Sequence, residues 1–346
     1  MTDRMRHPRP FVAVVAALLL LVACGGGGGD DGGGAAPGGG GTATTLPPFA
    51  PLTGLPLTDQ ARLARPALMV KIENAPASRP QSGLDSADIV YEEIVEGGIT
   101  RFLAVFHSTD ADRVGPVRSL RPTDPDIIAA FGGLFAYSGG IPNFIEVLRR
   151  TPGITDIGVD VLDEGPDKPY TRRAGRAAPN NLYTSTARLY ARGPTAGNRP
   201  PDRFNEFLPE GQAFTAGGAA PAAGISLTVG ITPVLYEYDA VSKTYRRAGL
   251  VEGSGTVAPT NVIVQFTSYA DTDETDLTGA TVEKATTLGS GDALVLSGGV
   301  AVRGKWSRDS ATSYTTYMDA SGAPIRLAAG RTWIALARNG AQFTLR

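Results

Sequence analysis

The chain has 346 residues and a formal net charge of −2, with 32 lysines and arginines against 34 aspartates and glutamates. This balance gives no indication of a strongly basic surface of the kind that binds nucleic acid or an anionic membrane. Cys24 is the single cysteine, so no disulfide can form within the chain. The chain has two histidines, His7 and His107, which are too few for a histidine-cluster metal site. We therefore expect no metal and no other cofactor.

The first 24 residues have the features of a bacterial lipoprotein signal peptide. A start with three arginines precedes an apolar run over residues 11–22, which is too short to span a bilayer comfortably. The run ends in LVAC at positions 21–24, which is similar to the bacterial lipobox, where small residues admit a peptidase before a cysteine that is lipidated. The sequence predicts removal of residues 1–23 and lipidation of Cys24; an ordinary secretory signal is the alternative.

Residues 24–50 are rich in glycine, threonine and proline. Such a segment cannot bury enough apolar surface to fold, which predicts a disordered tether. Diacylation of Cys24 would supply the two hydrocarbon chains that stable membrane anchoring requires. We therefore expect a protein that this N-terminal lipid anchors to the extracytoplasmic face of the cell membrane.

Residues 51–192 mix strand and helix patterns, which predict a mixed α/β domain. The expected strands are 65–72, 88–96, 101–108 and 134–137, and the expected helices are 123–131, 142–149 and 184–191. Two of these strands should form a hairpin around Gly97 and Gly98. Thr123 is the expected N-cap of its helix, and Pro142 stands at a favoured first position of the next.

Beyond this domain the pattern changes to strands and turns. Residues 193–224 are rich in proline, glycine and alanine and predict a linker or a surface excursion. Residues 225–346 contain no helical pattern and predict a mainly antiparallel β domain. The strands expected there are a hairpin over 234–246 and single strands at 261–269, 292–296, 300–306, 314–318 and 332–337. The predicted fold class is α+β.

Acidic residues lie inside the expected strand 88–96. Alternation along a strand would place Glu92 and Glu96 on one face and Glu93 on the other, and both faces are otherwise mostly apolar. A buried carboxylate needs a cationic partner, or its pKa rises. We expect Glu93 to pair with an arginine. The candidate ion-pair or ligand-binding cluster is Glu92, Glu93, Glu96, Arg101, Arg118 and Arg121.

The sequence leaves two interpretations of this cluster open. Arg118 and Arg121 precede a helix start, where an internal glutamate or the carboxylate or phosphate of a ligand could lie between them. The three glutamates could instead serve a cell-wall glycan hydrolase, which uses two carboxyl groups about 5–10 Å apart. Glu92 and Glu96 would lie about 13 Å apart along a strand, so structural pairing is favoured and no catalytic residue is assigned.

Three weaker motifs have plainer alternatives. Ser138 in AYSGG is similar to a nucleophile elbow, but His107, its one available base, precedes it in the chain. The acidic segment 271–276 lacks the spacing of a calcium-binding EF-hand loop and is interpreted as a solvated turn between strands, with a weak calcium site as the alternative. Trp306 and Trp333 could form a sugar-stacking platform, but such residues more often belong to the core.

Several segments resemble the YerB-like lipoproteins, a family of bacterial extracytoplasmic proteins. These segments are RPQSGLDSADIVYEEIVEGGITRFLAVF (79–106), GPVRSLRP (115–122), APNNLYTS (178–185), NVIVQ (261–265) and GRTWIALA (330–337). They cover nearly the whole chain after the tether, and the first is specific. The resemblance implies an extracytoplasmic location and a two-part architecture built on a domain of unknown function, and it implies no particular activity.

Three functional hypotheses follow from these observations. The first is a non-catalytic binding or scaffold lipoprotein that recognises an anionic or glycan ligand, such as a cell-wall polymer, or another envelope protein. The second is the glycan hydrolase considered above. The third is a solute-binding receptor, but the unequal halves do not match the paired lobes of such receptors. The first hypothesis is favoured because no complete catalytic set is visible.

Overall fold

The computed structural model describes residues 48–165, 168–193 and 198–346. The predicted signal peptide, the lipidation site Cys24 and nearly all of the predicted tether lie outside these residues. Within the described part of the chain, no helix has the length and apolar character needed to cross a membrane.

Short helices and many strands make up the described residues. The helices are α1 Gln60–Ala64, α2 Asp124–Ile128, α3 Pro142–Arg149, α4 Val159–Leu162 and α5 Thr186–Tyr190, and 3-10 turns occupy Pro76–Ser78 and Glu96–Gly98. The first seven strands are β1 Leu68–Glu73, β2 Ile89–Ile94, β3 Thr100–Phe106, β4 Gly133–Ala136, β5 Ile154–Asp156, β6 Thr171–Arg172 and β7 Leu182–Tyr183. The other strands are β8 Ala220–Pro221, β9 Gly224–Val229, β10 Thr232–Asp239, β11 Thr244–Ala248, β12 Thr256–Val257, β13 Asn261–Thr267, β14 Tyr269–Thr275, β15 Thr281–Ala285, β16 Gly289–Ser297, β17 Val300–Arg308, β18 Thr316–Asp319, β19 Thr332–Arg338 and β20 Phe343–Leu345.

One large sheet combines strands from both halves of the chain. Its order is β18, β17, β16, β13, β19, β2, β3, β1, β4, β5, and β8 pairs with β17 at one side. β19 pairs in parallel with both β13 and β2, so the end of the chain lies beside the first hairpin. A second sheet has the order β12, β11, β10, β9, β20, and β14–β15 and β6–β7 form ribbons. The predicted α+β class is confirmed.

Each face of the large sheet covers a hydrophobic core. Val90, Phe102 and Trp333 point to the face that packs against the second sheet, where they join a cluster with Tyr236 and Tyr245. The opposite face packs against α2 and α3 through apolar side chains that include Met69, Tyr91, Leu103, Ile127 and Phe144. β2, β3 and β1 are therefore buried on both sides, and any charged residue in them needs an internal partner.

The described part of the segment 193–224 packs on the fold. Phe204 and Phe207 are buried, and the backbone N–H of Phe204 donates to the carbonyl oxygen of Pro51 at 3.0 Å. All described residues belong to one compact unit. The division into domains 51–192 and 225–346 stays a prediction.

Two local predictions need correction. The helix expected over 123–131 is shorter, and the Thr123 hydroxyl does not cap it but accepts a hydrogen bond from the Ala285 backbone N–H at 3.0 Å. The acidic segment 271–276, expected to be a turn, lies mostly in β14, and the turn begins at Asp276, whose carboxylate accepts hydrogen bonds from the backbone N–H of Thr278 and of Ala280. No group of residues suited to a metal ion occurs in the described ranges.

Candidate functional site

The candidate cluster begins with a buried lysine in β1. The register places Lys71 opposite Leu103 of β3, and Glu93 of β2 lies opposite Arg101, so Lys71 and Glu93 meet on one face of the sheet. The Lys71 ammonium donates to the Glu93 carboxylate and, at 2.7 Å, to Asp124 at the start of α2. All three side chains are buried. The prediction that Glu93 pairs with an arginine is therefore wrong, because its partner is Lys71.

Two carboxylates share this one ammonium group. Burial raises the pKa of Glu93 above its ordinary value, Lys71 opposes that rise, and the nearby Asp124 carboxylate adds to it. Asp124 also accepts a hydrogen bond from the Arg121 backbone N–H at 2.6 Å, which ties the segment before α2 to the first residue of the helix. The sequence carried one signal of this arrangement, a lysine inside the otherwise apolar run of β1.

Arg101 and Arg118 converge on Glu73 at the end of β1. The Nε atoms of Arg118 and Arg101 lie 2.7 and 3.4 Å from Glu73 Oε2. The other carboxylate oxygen accepts from the backbone N–H groups of Asn74 and Ala75. Burial would raise the pKa of Glu73, but the two arginines and these hydrogen bonds hold it below its ordinary value. Sequence reasoning missed Glu73 because its partners are distant along the chain.

Glu96 and Arg121 form a separate pair. β2 ends at Ile94, and Glu96 lies in the 3-10 turn that follows, where Gly97 has a φ of 66°. Two N···O contacts of 2.5 and 2.7 Å join the Arg121 guanidinium to the Glu96 carboxylate. The expectation that Glu96 shares a strand face with Glu92 is wrong, because the strand ends before it.

Glu92 points to the other face of the sheet, toward the second sheet. Arg247 of β11 binds both of its carboxylate oxygens, at 2.5 and 3.1 Å. Trp333 Nε1–H and the Thr100 hydroxyl donate to the same carboxylate at 3.1 and 2.9 Å. The Arg247 guanidinium also lies 5.4 Å from the Trp333 ring centroid and 5.5 Å from that of Tyr236. This buried group joins the two sheets.

Each of the six candidate residues thus has an internal partner of opposite charge. The three glutamates bind three different cations, so each carboxylate is engaged by its own internal partner. The two tryptophans are buried, and Trp306 Nε1–H donates to the Phe266 carbonyl oxygen at 2.8 Å, so neither forms a surface platform.

The structure separates Ser138 from His107. β3 is antiparallel to β1 and β4 is parallel to it, so His107 lies near the start of β1 and Ser138 near its end. The separation is five strand residues, or about 16 Å. A serine–histidine pair is therefore absent.

His107 provides a prediction about pH. Burial, followed by the nearby Arg65 cation, lowers the pKa of His107 to about 4. In the unfolded chain, this histidine takes up a proton near the ordinary pKa of about 6.5. The contribution of neutral His107 to stability should therefore be complete above that pH and be lost as the pH falls toward 4, with a total loss of about 3 kcal/mol.

The measurement is urea denaturation of the wild type and of a His107→Leu variant between pH 8 and pH 4. We expect the free energy of unfolding of the variant to fall less over this range, because the variant lacks the buried imidazole. Carboxylates titrate in both proteins, so the comparison isolates the histidine. Identical pH dependence of the two proteins would contradict the prediction.

A separate polar cleft of about 740 Å³ opens beside β2 and β3. Asp88 lies at its floor and accepts hydrogen bonds from the backbone N–H groups of His107 and Ser108, at 2.6 and 2.7 Å, and from the Ser108 hydroxyl. Burial raises the pKa of Asp88, and these hydrogen bonds oppose that rise. The walls carry further hydroxyl groups, including those of Tyr238 and Thr260.

Two cationic side chains also border this cleft. Neither Lys243 nor Arg331 forms an ion pair within 4.0 Å in the described part of the chain, and Lys243 is exposed on a turn between β10 and β11. The lining also includes the acids Asp88 and Glu210, so the positive charge that a ligand would meet is local to Lys243 and Arg331, beside the hydroxyl groups. Sequence reasoning missed it, because its residues come from loops with no common motif.

These features define an α+β protein in which internal ion pairs engage the buried charges of β1 and β2 and a polar cleft stays open. Two family models match the chain, "Protein of unknown function (DUF3048) N-terminal domain" over residues 52–199 and "Protein of unknown function (DUF3048) C-terminal domain" over residues 225–334. The chain belongs to this family. The resemblance to YerB-like proteins noted from the sequence is confirmed.

Two comparisons concern one relative from Bacillus subtilis. The curated protein of strain 168, described as "Putative lipoprotein YerB", is 32% identical over 206 residues, which are 58% of this chain and 59% of the relative. The crystal structure of YerB protein from Bacillus subtilis matches with a TM-score of 0.70 and 25% sequence identity, over 86% of this chain and 99% of that one. The sequence alignment thus spans less than two thirds of the curated relative.

Proposed function

We propose that the protein is an extracytoplasmic lipoprotein, anchored through Cys24, that acts as a non-catalytic binding protein of the cell envelope. The lipobox at residues 21–24 and the description of the Bacillus subtilis relative as a lipoprotein support the anchor. The ligand that we propose is an anionic glycan of the cell wall. A glycan hydrolase is disfavoured because each glutamate of the candidate cluster is engaged by a cation.

The cleft above Asp88 is the observation that supports the ligand class. Its volume of about 740 Å³ is within the range of about 300–1,000 Å³ that is usual for small-ligand sites. Hydroxyl groups suit the hydroxyls of a sugar, and Arg331 and Lys243 suit its carboxylate or phosphate groups. Asp88 already accepts three hydrogen bonds and is buried, so it supports the floor of the cleft and is poorly placed to exchange protons with a substrate.

Binding to purified peptidoglycan that carries its anionic polymers tests this proposal. We expect an Arg331→Ala, Lys243→Ala double variant to bind about tenfold more weakly than the wild type, a loss of about 1.4 kcal/mol. Arg150→Ala with Lys168→Ala is the matched control, since these cations are exposed elsewhere, and it should bind like the wild type. Equal binding by all three proteins would contradict the assignment of the cleft, and release of glycan fragments would indicate a hydrolase.

The anchor has its own prediction. A Cys24→Ser variant should lose its membrane association and either accumulate as the uncut precursor or appear in the soluble fraction, because the lipid is attached to the cysteine thiol. Fractionation of cells followed by mass measurement of the N-terminal peptide checks this. A variant that stays on the membrane and is still cut before residue 24 would show that the anchor lies elsewhere.

A further inference from the structure

Three arginines of the N-terminal half surround one carboxylate of the C-terminal half. Arg173 Nη1 donates to Glu252 Oε1, and Arg176 Nη2 lies 3.6 Å from the same oxygen. Arg113 Nη1 and the Ser82 hydroxyl donate to Glu252 Oε2, each at 3.1 Å. We call Arg113, Arg173 and Arg176 the arginine triad.

The triad carries more charge than Glu252 can neutralise. None of the three arginines has a second ion pair with another described residue, so three positive charges face one negative charge. The Glu92–Arg247 and Glu96–Arg121 pairs, in contrast, are matched one to one. With Glu252 displaced, the three positive charges would face the charge of about −2 that a phosphate monoester carries at neutral pH.

Two arginines of the triad, Arg173 and Arg176, are held in place by contacts that do not involve Glu252. Arg176 donates to the carbonyl oxygens of Ser78 and Pro80, both at 2.7 Å. The guanidinium carbons of Arg173 and Arg176 lie 5.8 and 5.9 Å from the ring centroid of the buried Tyr183. A site whose guanidiniums are positioned in advance loses less entropy when it binds an oxyanion.

The triad is also accessible. The side chains of Arg113, Arg173 and Arg176 are 54%, 37% and 16% exposed, and that of Glu252 is 25% exposed. The Glu252 backbone is fixed by a hydrogen bond from its N–H to the Gln81 carbonyl oxygen at 2.9 Å. Displacement of the Glu252 carboxylate from the triad would therefore require rotation of its side chain toward solvent and no movement of the backbone.

We propose that the arginine triad is a binding site for a phosphate monoester group and that the Glu252 carboxylate occupies this site when no ligand is bound. Bidentate hydrogen bonding between guanidinium and phosphate oxygens gives the site its chemistry. The ligand must displace an internal carboxylate, so affinity in the wild type reflects a competition. The site shares no residue with the cleft above Asp88, and its proposal does not depend on the function proposed there.

Calorimetric titration of the full-length protein with inorganic phosphate tests this site, with sodium chloride at matched ionic strength as the reference. Glu252→Gln removes the competing charge, so the variant should bind phosphate at least about tenfold more tightly than the wild type, a difference of about 1.4 kcal/mol. Phosphate, and not chloride, should also raise the melting temperature of this variant. Adding Arg173→Gln to it should abolish both effects.

Glu283→Gln is the matched control, because Glu283 binds a single arginine, Arg338, and its loss leaves no cluster of positive charge. An equal phosphate response of Glu283→Gln and Glu252→Gln, or none in Glu252→Gln, would overturn the proposal. If Glu252→Gln does not fold, the comparison of wild type with Arg173→Gln decides, since only the wild type should bind phosphate. Vesicles of phosphatidylcholine with and without phosphatidic acid distinguish a lipid headgroup from free phosphate as the source of the group.

Discussion

Replacing Lys71 by methionine is expected to lower the free energy of unfolding by about 3–5 kcal/mol, the usual cost of removing one partner from a buried ion pair. The ammonium group is the cation that Glu93 and Asp124 share, and all three side chains are buried. Without it, two carboxylates lie close together away from water. The fold then persists only if the carboxylates take up protons or if water enters the site.

This mechanism gives the Lys71→Met variant a characteristic pH dependence. A protonated carboxyl group costs less to bury than a carboxylate, so the deficit relative to the wild type should shrink as the pH falls from 8 to 5. Adding Glu93→Gln and Asp124→Asn should recover most of the stability at pH 8, because both uncompensated charges are removed. Urea denaturation at the two pH values checks both expectations. A deficit below about 1 kcal/mol, or one that grows at low pH, would show that Lys71 is not the neutralising group.

Replacing Arg247 by methionine is expected to cost a similar amount, about 3–5 kcal/mol, for a different structural reason. Arg247 binds both carboxylate oxygens of Glu92 and is the cation that connects the second sheet to the large one. In the variant only Trp333 and Thr100 would still donate to that carboxylate. We therefore expect the interface between the two sheets to open more readily.

Hydrogen exchange and chemical denaturation measure this second effect. Arg246→Met is the matched control, since the Arg246 side chain is 58% exposed and its Nη1 lies 3.6 Å from Asp239 Oδ2. This variant should change stability by no more than about 0.5 kcal/mol. A Glu92→Gln, Arg247→Met double variant should be more stable than Arg247→Met alone. If the two arginine variants were equally stable, the pair would contribute nothing to the contact between the sheets.

Local signals in the sequence were sufficient for many elements. The predicted helix 142–149 coincides with α3, because Pro142 and the apolar spacing mark it clearly. The hairpin expected over 234–246 is present as β10 and β11, whose buried and exposed residues alternate in the structure. β14 was not predicted as a strand, because its sequence of threonines and acids includes few apolar side chains.

The candidate site depended on pairings that no local pattern contains. Glu92 and Arg247 are 155 positions apart, and Glu92 and Trp333 are 241 positions apart. The alternation in β2 correctly indicated buried acids that need cations, but it could not choose among the arginines or identify Lys71. The partner of each acid is determined by the strand register and by the parallel placement of β19 beside β2, which only the three-dimensional structure shows.

The position of β19 leaves one edge of β2 unpaired in the nascent polypeptide. A ribosome makes β2 more than 200 residues before it makes β19, the neighbour that covers the outer edge of β2. Throughout that interval the edge offers unpaired amide and carbonyl groups to any strand nearby, including those of other nascent copies. In the half-finished chain this edge is thus open to intermolecular strand pairing, and a holding chaperone would protect it until β19 is made.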